Sequence, residues 1–224
     1  MSINKLQYQK IVTELNGKAI LVAVSKTKPA EDIQALYDLG QRDFGENYVQ
    51  ELTEKQALLP KDINWHFIGH LQSNKVKYIA PFIHLIQGVD SFGLLKEINK
   101  QALKNNRSIA CLLQVHIAKE ETKFGFDGPE LDNLLNSNFD ELNELKNVRI
   151  CGLMGMASFT EDNDLIKNEF SYLKQLFDKV SSTCKIQLSI FNILSMGMSA
   201  DYKFALDAGS NMVRIGSLLF GSRS

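Results

Sequence analysis

The chain has 224 residues, 44% of them hydrophobic and 23% charged, with a formal charge of -1 at pH 7. That supports one sizeable core and is too little for two generous domains. A charge this close to zero gives no electrostatic reason to expect nucleic acid or an acidic membrane as partner, and no apolar stretch reaches the roughly 18–20 residues that span a bilayer.

The first residues, Met1-Ser2-Ile3-Asn4-Lys5-Leu6-Gln7, lack the apolar segment of a secretory signal. Leu6 to Leu15 then make a short helix candidate. The first strong feature is the run Ile20-Leu21-Val22-Ala23-Val24, followed by Ser25-Lys26-Thr27-Lys28-Pro29. An apolar run bounded by a polar turn and Pro reads as a strand buried on both faces. Residues Ala30 to Tyr37, with Pro29 before them and Gly40 behind, read as the next helix. Lys26 therefore sits near the carboxyl end of a parallel-type strand, where α/β folds place their chemistry. A lysine in a partly dry site loses hydration that favours its charged form, and its amine becomes able to capture a carbonyl as a Schiff base.

Further strand candidates lie at Asp43–Gly45, His66–Gly69, Leu85–Val89, Ile109–Ile117, Arg149–Met154, Phe191–Leu194 and Met212–Ile215. Helical period is clearest from Asp164 to Val180, where Ile166, Phe170, Leu173, Phe177 and Val180 share one face. Leu94 to Leu103 is another helix, with Asp90 and Ser91 as capping candidates. Ala200 to Ala208 is a third, with Ser199 before it and Gly209 after it. Eight strands separated by helices imply parallel crossovers. The expected fold is a single eight-stranded parallel (β/α)8 TIM-type barrel over residues 1–224, with an open doubly wound sheet as the alternative. Cys111, Cys151 and Cys184 are far apart and offer no metal-ligand or disulfide spacing. Buried thiols in a cytoplasmic protein are the expectation. The four histidines are spread along the chain, and no metal centre is expected from them.

In a barrel the strand ends converge on one mouth. Lys26, Glu46-Asn47, His70 to Lys75, Gly155-Met156, Ser195 to Ser199 and Gly216-Ser217 would all be brought there. The seventh and eighth turns of such barrels commonly hold a phosphate, and small residues with free N–H groups suit a dianion. A lysine after the first strand beside two anion-ready turns implies a phosphorylated carbonyl compound. Arg214 alternates with Val213 and Ile215. It either projects into the mouth or pairs with an acid such as Asp207. Lys75 and Lys77 near the mouth read as solvated helix charges that could meet an anionic partner.

Five motifs then carry a resemblance: Ala23 to Pro29, Phe44 to Glu51, Trp65 to Lys75, Leu194 to Ser199 and Val213 to Ser217. In that order they look like the pyridoxal phosphate homeostasis protein family, which resembles the barrel domain of bacterial alanine racemase. The likeness runs from about Ile20 to Gly221. It implies pyridoxal 5'-phosphate bound as a Schiff base to Lys26. It also implies that Ser195, Gly216 and Ser217 hold the phosphate, with Met196 supplying backbone, Asn47 lining the pocket and Arg214 facing the pyridine nitrogen. The family is described as cofactor carriers or regulators of vitamin B6 and amino-acid balance, without an established reaction.

The chain departs from the family pattern at His116, at Phe124 between Lys123 and Gly125, and at Gly155. An arginine opposite the ring nitrogen disfavours ring protonation, which weakens the cofactor as an electron sink. The racemase resemblance implies a second base, a tyrosine from an additional domain, for which this chain has no residues left. Tyr48 and Tyr202 are the internal substitutes. A carrier that meets cofactor-using enzymes transiently, as a monomer, is the leading expectation; a racemase or other low-activity enzyme is the alternative. A phosphosugar barrel is a third reading.

Overall fold

The computed structural model describes residues 3–120, 124–137, 139–183 and 191–221. Lys123 and Cys184 lie outside them. Helix α1 (Lys5–Leu15) starts at Asn4, whose side chain accepts from the Gln7 amide, and ends at Asn16 in the left-handed region. Then strand and helix alternate: β1 (Ile20–Val24), α2 (Ala30–Tyr37), β2 (Asp43–Glu46), α3 (Val49–Leu58) and β3 (Asn64–Phe67). A short 3-10 turn, Ser73–Lys75, leads into α4 (Val76–Ile79), followed by β4 (Leu85–Val89), α5 (Phe92–Lys104) and β5 (Ile109–Val115). The chain continues through α6 (Gly128–Asp132), α7 (Phe139–Asn143), β6 (Val148–Gly155), α8 (Asn163–Thr183) and β7 (Ile193–Ser195). It closes with α9 (Tyr202–Asp207), β8 (Met212–Ile215) and α10 (Ser217–Phe220).

The strands pair in parallel in sequence order, and β8 returns to β1, so the sheet is a closed barrel of β1 to β8. The runs Leu85–Val89 and Met212–Ile215 coincide with the strands read from sequence. The seventh strand begins two residues later than its apolar run and ends on Ser195. Ser91 caps α5 as expected, accepting from the Leu94 amide at 3.3 Å. Ser199 does not cap a helix: α9 begins at Tyr202, with Asp201 as its N-cap residue. Asp201 instead accepts from the Met198 amide at 2.5 Å, which ties the turn to the helix start.

The period-2 alternation of each strand sorts the core into two layers. Leu21, Ala23, Val213 and Ile215 face the helices and join the large outer core. Val22, Leu85, Leu112, Met154 and Met212 fill the barrel interior. Along α8, Ile166, Phe170, Leu173 and Val180 are buried on one face, as their spacing predicts. Cys111 is fully buried, and burial pushes its thiol well above the usual range. Among the described residues, no helix is long and apolar enough to cross a membrane.

Candidate functional site

The turn after β1 carries Lys26, and buried groups hold it from below. Lys55 of α3 places its Nζ 2.8 Å from the Ser25 carbonyl, 2.7 Å from Glu46 Oε1 and 2.6 Å from Glu51 Oε1. Ser25 Oγ donates to the same Glu46 oxygen at 2.6 Å, and the Thr27 amide donates to Glu51 at 2.6 Å. Thr27 has φ +63°, a left-handed conformation costly to a β-branched residue without such bonds. Both neighbours of Lys26 are thus fixed by one lysine–carboxylate knot. Sequence reasoning missed it. Lys55 reads as a polar residue on a weakly amphipathic helix, yet it is only 6% exposed.

Glu46 is fully buried, and desolvation pushes its carboxyl up to about 7 against the downward pull of Lys55 and Ser25. The unfolded carboxyl titrates near about 4.3, so the folded state keeps a proton the unfolded chain has released. Stability from this group is therefore present at low pH and is lost as pH rises through the folded value. The stability advantage of the native protein over Glu46→Gln should shrink between about pH 5 and about pH 8, measured by urea unfolding at each pH. An advantage that stays flat or grows would contradict this balance.

At the mouth, Lys26, Asn47, Arg214, Gly216 and Ser217 line one cavity of about 400 Å³, together with Lys28, Met156 and Ser199. Asn47 follows β2, and its Oδ1 is buried with no hydrogen-bond partner among the described residues, an acceptor left for a ligand donor. Gly69 lets β3's end pass beside it, since a Cβ there would stand 2.6 Å from the Asn47 carbonyl oxygen. Arg214 does project into the mouth, and its partner is not Asp207. Nη1 donates to Ser195 Oγ at 2.6 Å and Nη2 to the Gly155 carbonyl at 2.9 Å. Burial lowers its pKa to about 10 while Asp201 pulls it up, so it stays cationic at neutral pH. Lys28, the cavity's second lysine, donates to the Phe220 carbonyl at 3.0 Å.

Ser195 and Met196 lie beneath this cavity rather than on its wall; both are fully buried, and Ser195 serves as the seat of Arg214. Ser199 is the serine of that turn which reaches the wall, and its Oγ accepts from the Gly216 amide at 3.2 Å. A larger groove of about 580 Å³ abuts the mouth, lined by Tyr48, His70, Lys75 and Tyr78 and sharing Asn47. It lacks Lys26 and Arg214, so the smaller cavity is the one with the chemistry. Lys75 and Lys77 both hover over the Tyr78 ring, at 5.8 and 5.0 Å. Tyr48 is 59% exposed, and the Tyr202 hydroxyl donates to Glu14 at 2.6 Å. Neither lines the Lys26 cavity. His116 is not among the residues lining the Lys26 cavity, and its Nε2 lies 2.9 Å from the Glu120 carbonyl. The histidines are less scattered than the sequence suggests: Asp43, His66 and His84 bring ligand-type atoms within 4.8 Å of one another at the opposite end of the barrel. There His66 Nε2 is already 3.0 Å from Asp43, and Arg149 and Arg107 add positive charge around His84.

The sequence pattern of the alanine racemase N-terminal domain matches residues 5–224. A pyridoxal phosphate homeostasis protein of Aquifex aeolicus is 41% identical over 206 residues, covering 92% of this chain and 87% of its own length. The chain belongs to the pyridoxal phosphate homeostasis protein family. PipY of Synechococcus elongatus PCC7942, solved with PLP bound, superposes with a TM-score of 0.86 at 33% identity, covering 96% of this chain and 99% of that one. Alanine racemase from Bartonella henselae shares the fold, with a TM-score of 0.71 at 17% identity over 97% of this chain and 59% of the racemase. The family likeness and the barrel expected from the sequence are both present in the molecule.

Proposed function

We propose that this chain binds pyridoxal 5'-phosphate in the Lys26 cavity and holds it as a Schiff base on that lysine. In this reading it takes part in intracellular vitamin B6 and amino-acid homeostasis. The observation that carries the proposal is the convergence of Lys26, Asn47, Arg214, Gly216 and Ser217 on one cavity of about 400 Å³. The residues fit the group. An amine stands at one wall, a cation at another, and small hydroxyl-bearing residues supply a third for a phosphate. The orphaned Asn47 Oδ1 awaits a donor such as a ring hydroxyl. The bound cofactor supplies an electrophilic carbonyl and a pyridine ring able to take up charge.

The chain's own groups favour holding over turnover. Arg214 remains charged, and a second positive charge on a facing ring nitrogen is disfavoured in a dry site. Among the described residues no tyrosine lines the cavity to act as a second base. The protein then works in the cytoplasm, as a monomer, and meets cofactor-using enzymes only transiently. The test is a PLP titration followed by borohydride reduction, peptide mapping and turnover assays with free amino acids. A reducible band mapped to the Lys26 peptide, without turnover, is the expected result. Racemisation or transamination would replace the carrier reading with the enzyme reading, and a folded protein without any band would favour a phosphosugar ligand.

A further inference from the structure

Four hydrogen bonds cross the barrel interior from the cavity to its opposite end. Arg214 Nη1 donates to Ser195 Oγ at 2.6 Å, and Ser195 Oγ donates to Gln87 Oε1 at 2.7 Å. Gln87 Nε2 donates to His66 Nδ1 at 3.0 Å, and His66 Nε2 meets Asp43 Oδ1 at 3.0 Å. Arg214, Ser195, Gln87 and His66 are exposed by 3% or less, whereas the Asp43 side chain reaches solvent with 25% exposure. The five residues come from β8, β7, β4, β3 and β2.

The two ends of this line fix its direction. A guanidinium only donates and a carboxylate only accepts, so each group between them accepts from the mouth side and donates toward Asp43. That sense requires His66 to be neutral with its proton on Nε2. If His66 carried the proton on Nδ1, Gln87 would have to turn its amide over. Ser195 would then face two donors, and its own hydrogen would lose its acceptor in the line. In the inferred sense each polar hydrogen of Ser195 and Gln87 has a partner, the second Gln87 hydrogen facing Met212 Sδ at 3.3 Å.

We propose that Gln87 and His66 are positioning residues for Arg214. Through Ser195 they orient its guanidinium in the cavity wall, while the Gly155 carbonyl fixes the other Nη. The inference rests on the reading of that cavity as the pyridoxal phosphate site. Buried hydrogen-bond lines of this kind rigidify what they end on, and a broken member leaves its neighbours desolvated and unpaired. The charged and titratable groups around His66 are Asp43 on β2 and His84 before β4, with Arg107 and Arg149 acting on His84.

The test pairs ¹⁵N NMR of the cofactor-free protein with cofactor titrations of three variants. In the native protein His66 should show a protonated Nε2 and a bare Nδ1. Gln87→Leu removes both bonds, and its pyridoxal phosphate affinity should fall about tenfold, with a displaced pH profile of the bound ring spectrum. Gln87→Glu keeps an acceptor for Ser195 and accepts from His66 Nδ1–H. It should hold the cofactor within about twofold of native affinity. Arg214→Met should move the His66 Nδ1 resonance in the cofactor-free protein. A native His66 protonated on Nδ1, or Gln87→Leu with native affinity and pH profile, would overturn the proposal. If no variant, native protein included, takes up cofactor, it is the cavity reading that fails. The line is then judged by Arg214→Met alone, and an unmoved His66 signal sinks it. The same NMR arm decides the matter should Gln87→Leu not fold.

Discussion

In the Lys26→Ala protein, borohydride reduction in the presence of pyridoxal phosphate should leave no covalent adduct by intact mass, while the thermal midpoint stays close to native. The two halves of this expectation have separate causes. Lys26 is half-buried at the lip of the cavity, so truncation opens no hole in the core. The turn that carries it keeps its own bonds: the Ser25 amide donates to the Gly45 carbonyl at 3.0 Å, and the Thr27 amide donates to Glu51. A surface truncation of this kind costs within about 0.5 kcal/mol. What is lost is the one amine the cavity offers beside Lys28, whose Nζ is bonded to the Phe220 carbonyl at 3.0 Å. An adduct of native yield in Lys26→Ala would move the attachment point, and Lys28 would be the first lysine to map.

Lys55→Met should be the most damaging single change to the frame above the Glu46 value, lowering unfolding free energy by about 3–5 kcal/mol in urea titration at about pH 8. Methionine keeps the apolar stem but removes the cation 2.7 Å from the Oε1 of Glu46, a residue with no exposed surface. The Ser25 carbonyl and Glu51 lose the same donor. The loss lies at the base of the Lys26 turn, so cofactor retention should fall together with stability. Glu46→Gln combined with Lys55→Met should recover part of the deficit, because the uncompensated carboxyl is gone, and a double-mutant cycle measures that coupling. A Lys55→Met loss below about 1 kcal/mol would mean that Glu46 is neutral at the working pH and that the knot holds the turn by geometry alone.

Much of the barrel was legible because each strand carries its own signal. The run at Ile20 is continuously apolar, and those at Leu85, Ile109 and Met212 are apolar but for Gln87, Gln114 and Arg214; a strand covered on both faces needs such a run. The alternation of Arg214 with Val213 and Ile215 left two placements open, and the structure puts its side chain at the mouth, on Ser195. Lys26, Asn47, Gly216 and Ser217 could be named for the mouth because strand ends of a parallel barrel share one rim. Depth was not legible in the same way. Ser195 belongs to the right turn but lies at the last position of β7, pointing into the interior, whereas Ser199, four residues on, reaches the wall.

The sequence by itself thus determined most of the strands and the family. Each follows from local periodicity or from a contiguous motif. The tertiary structure alone decided which buried polar groups satisfy one another. Lys55 meets Glu46 across 9 residues and Ser25 across 30, and Ser195 meets Gln87 across 108. No short window contains the last two pairs, and nothing in the pattern of α3 marks the first. They exist because closure of the barrel sets the strands side by side and the low dielectric of the interior makes an unpartnered polar group there costly.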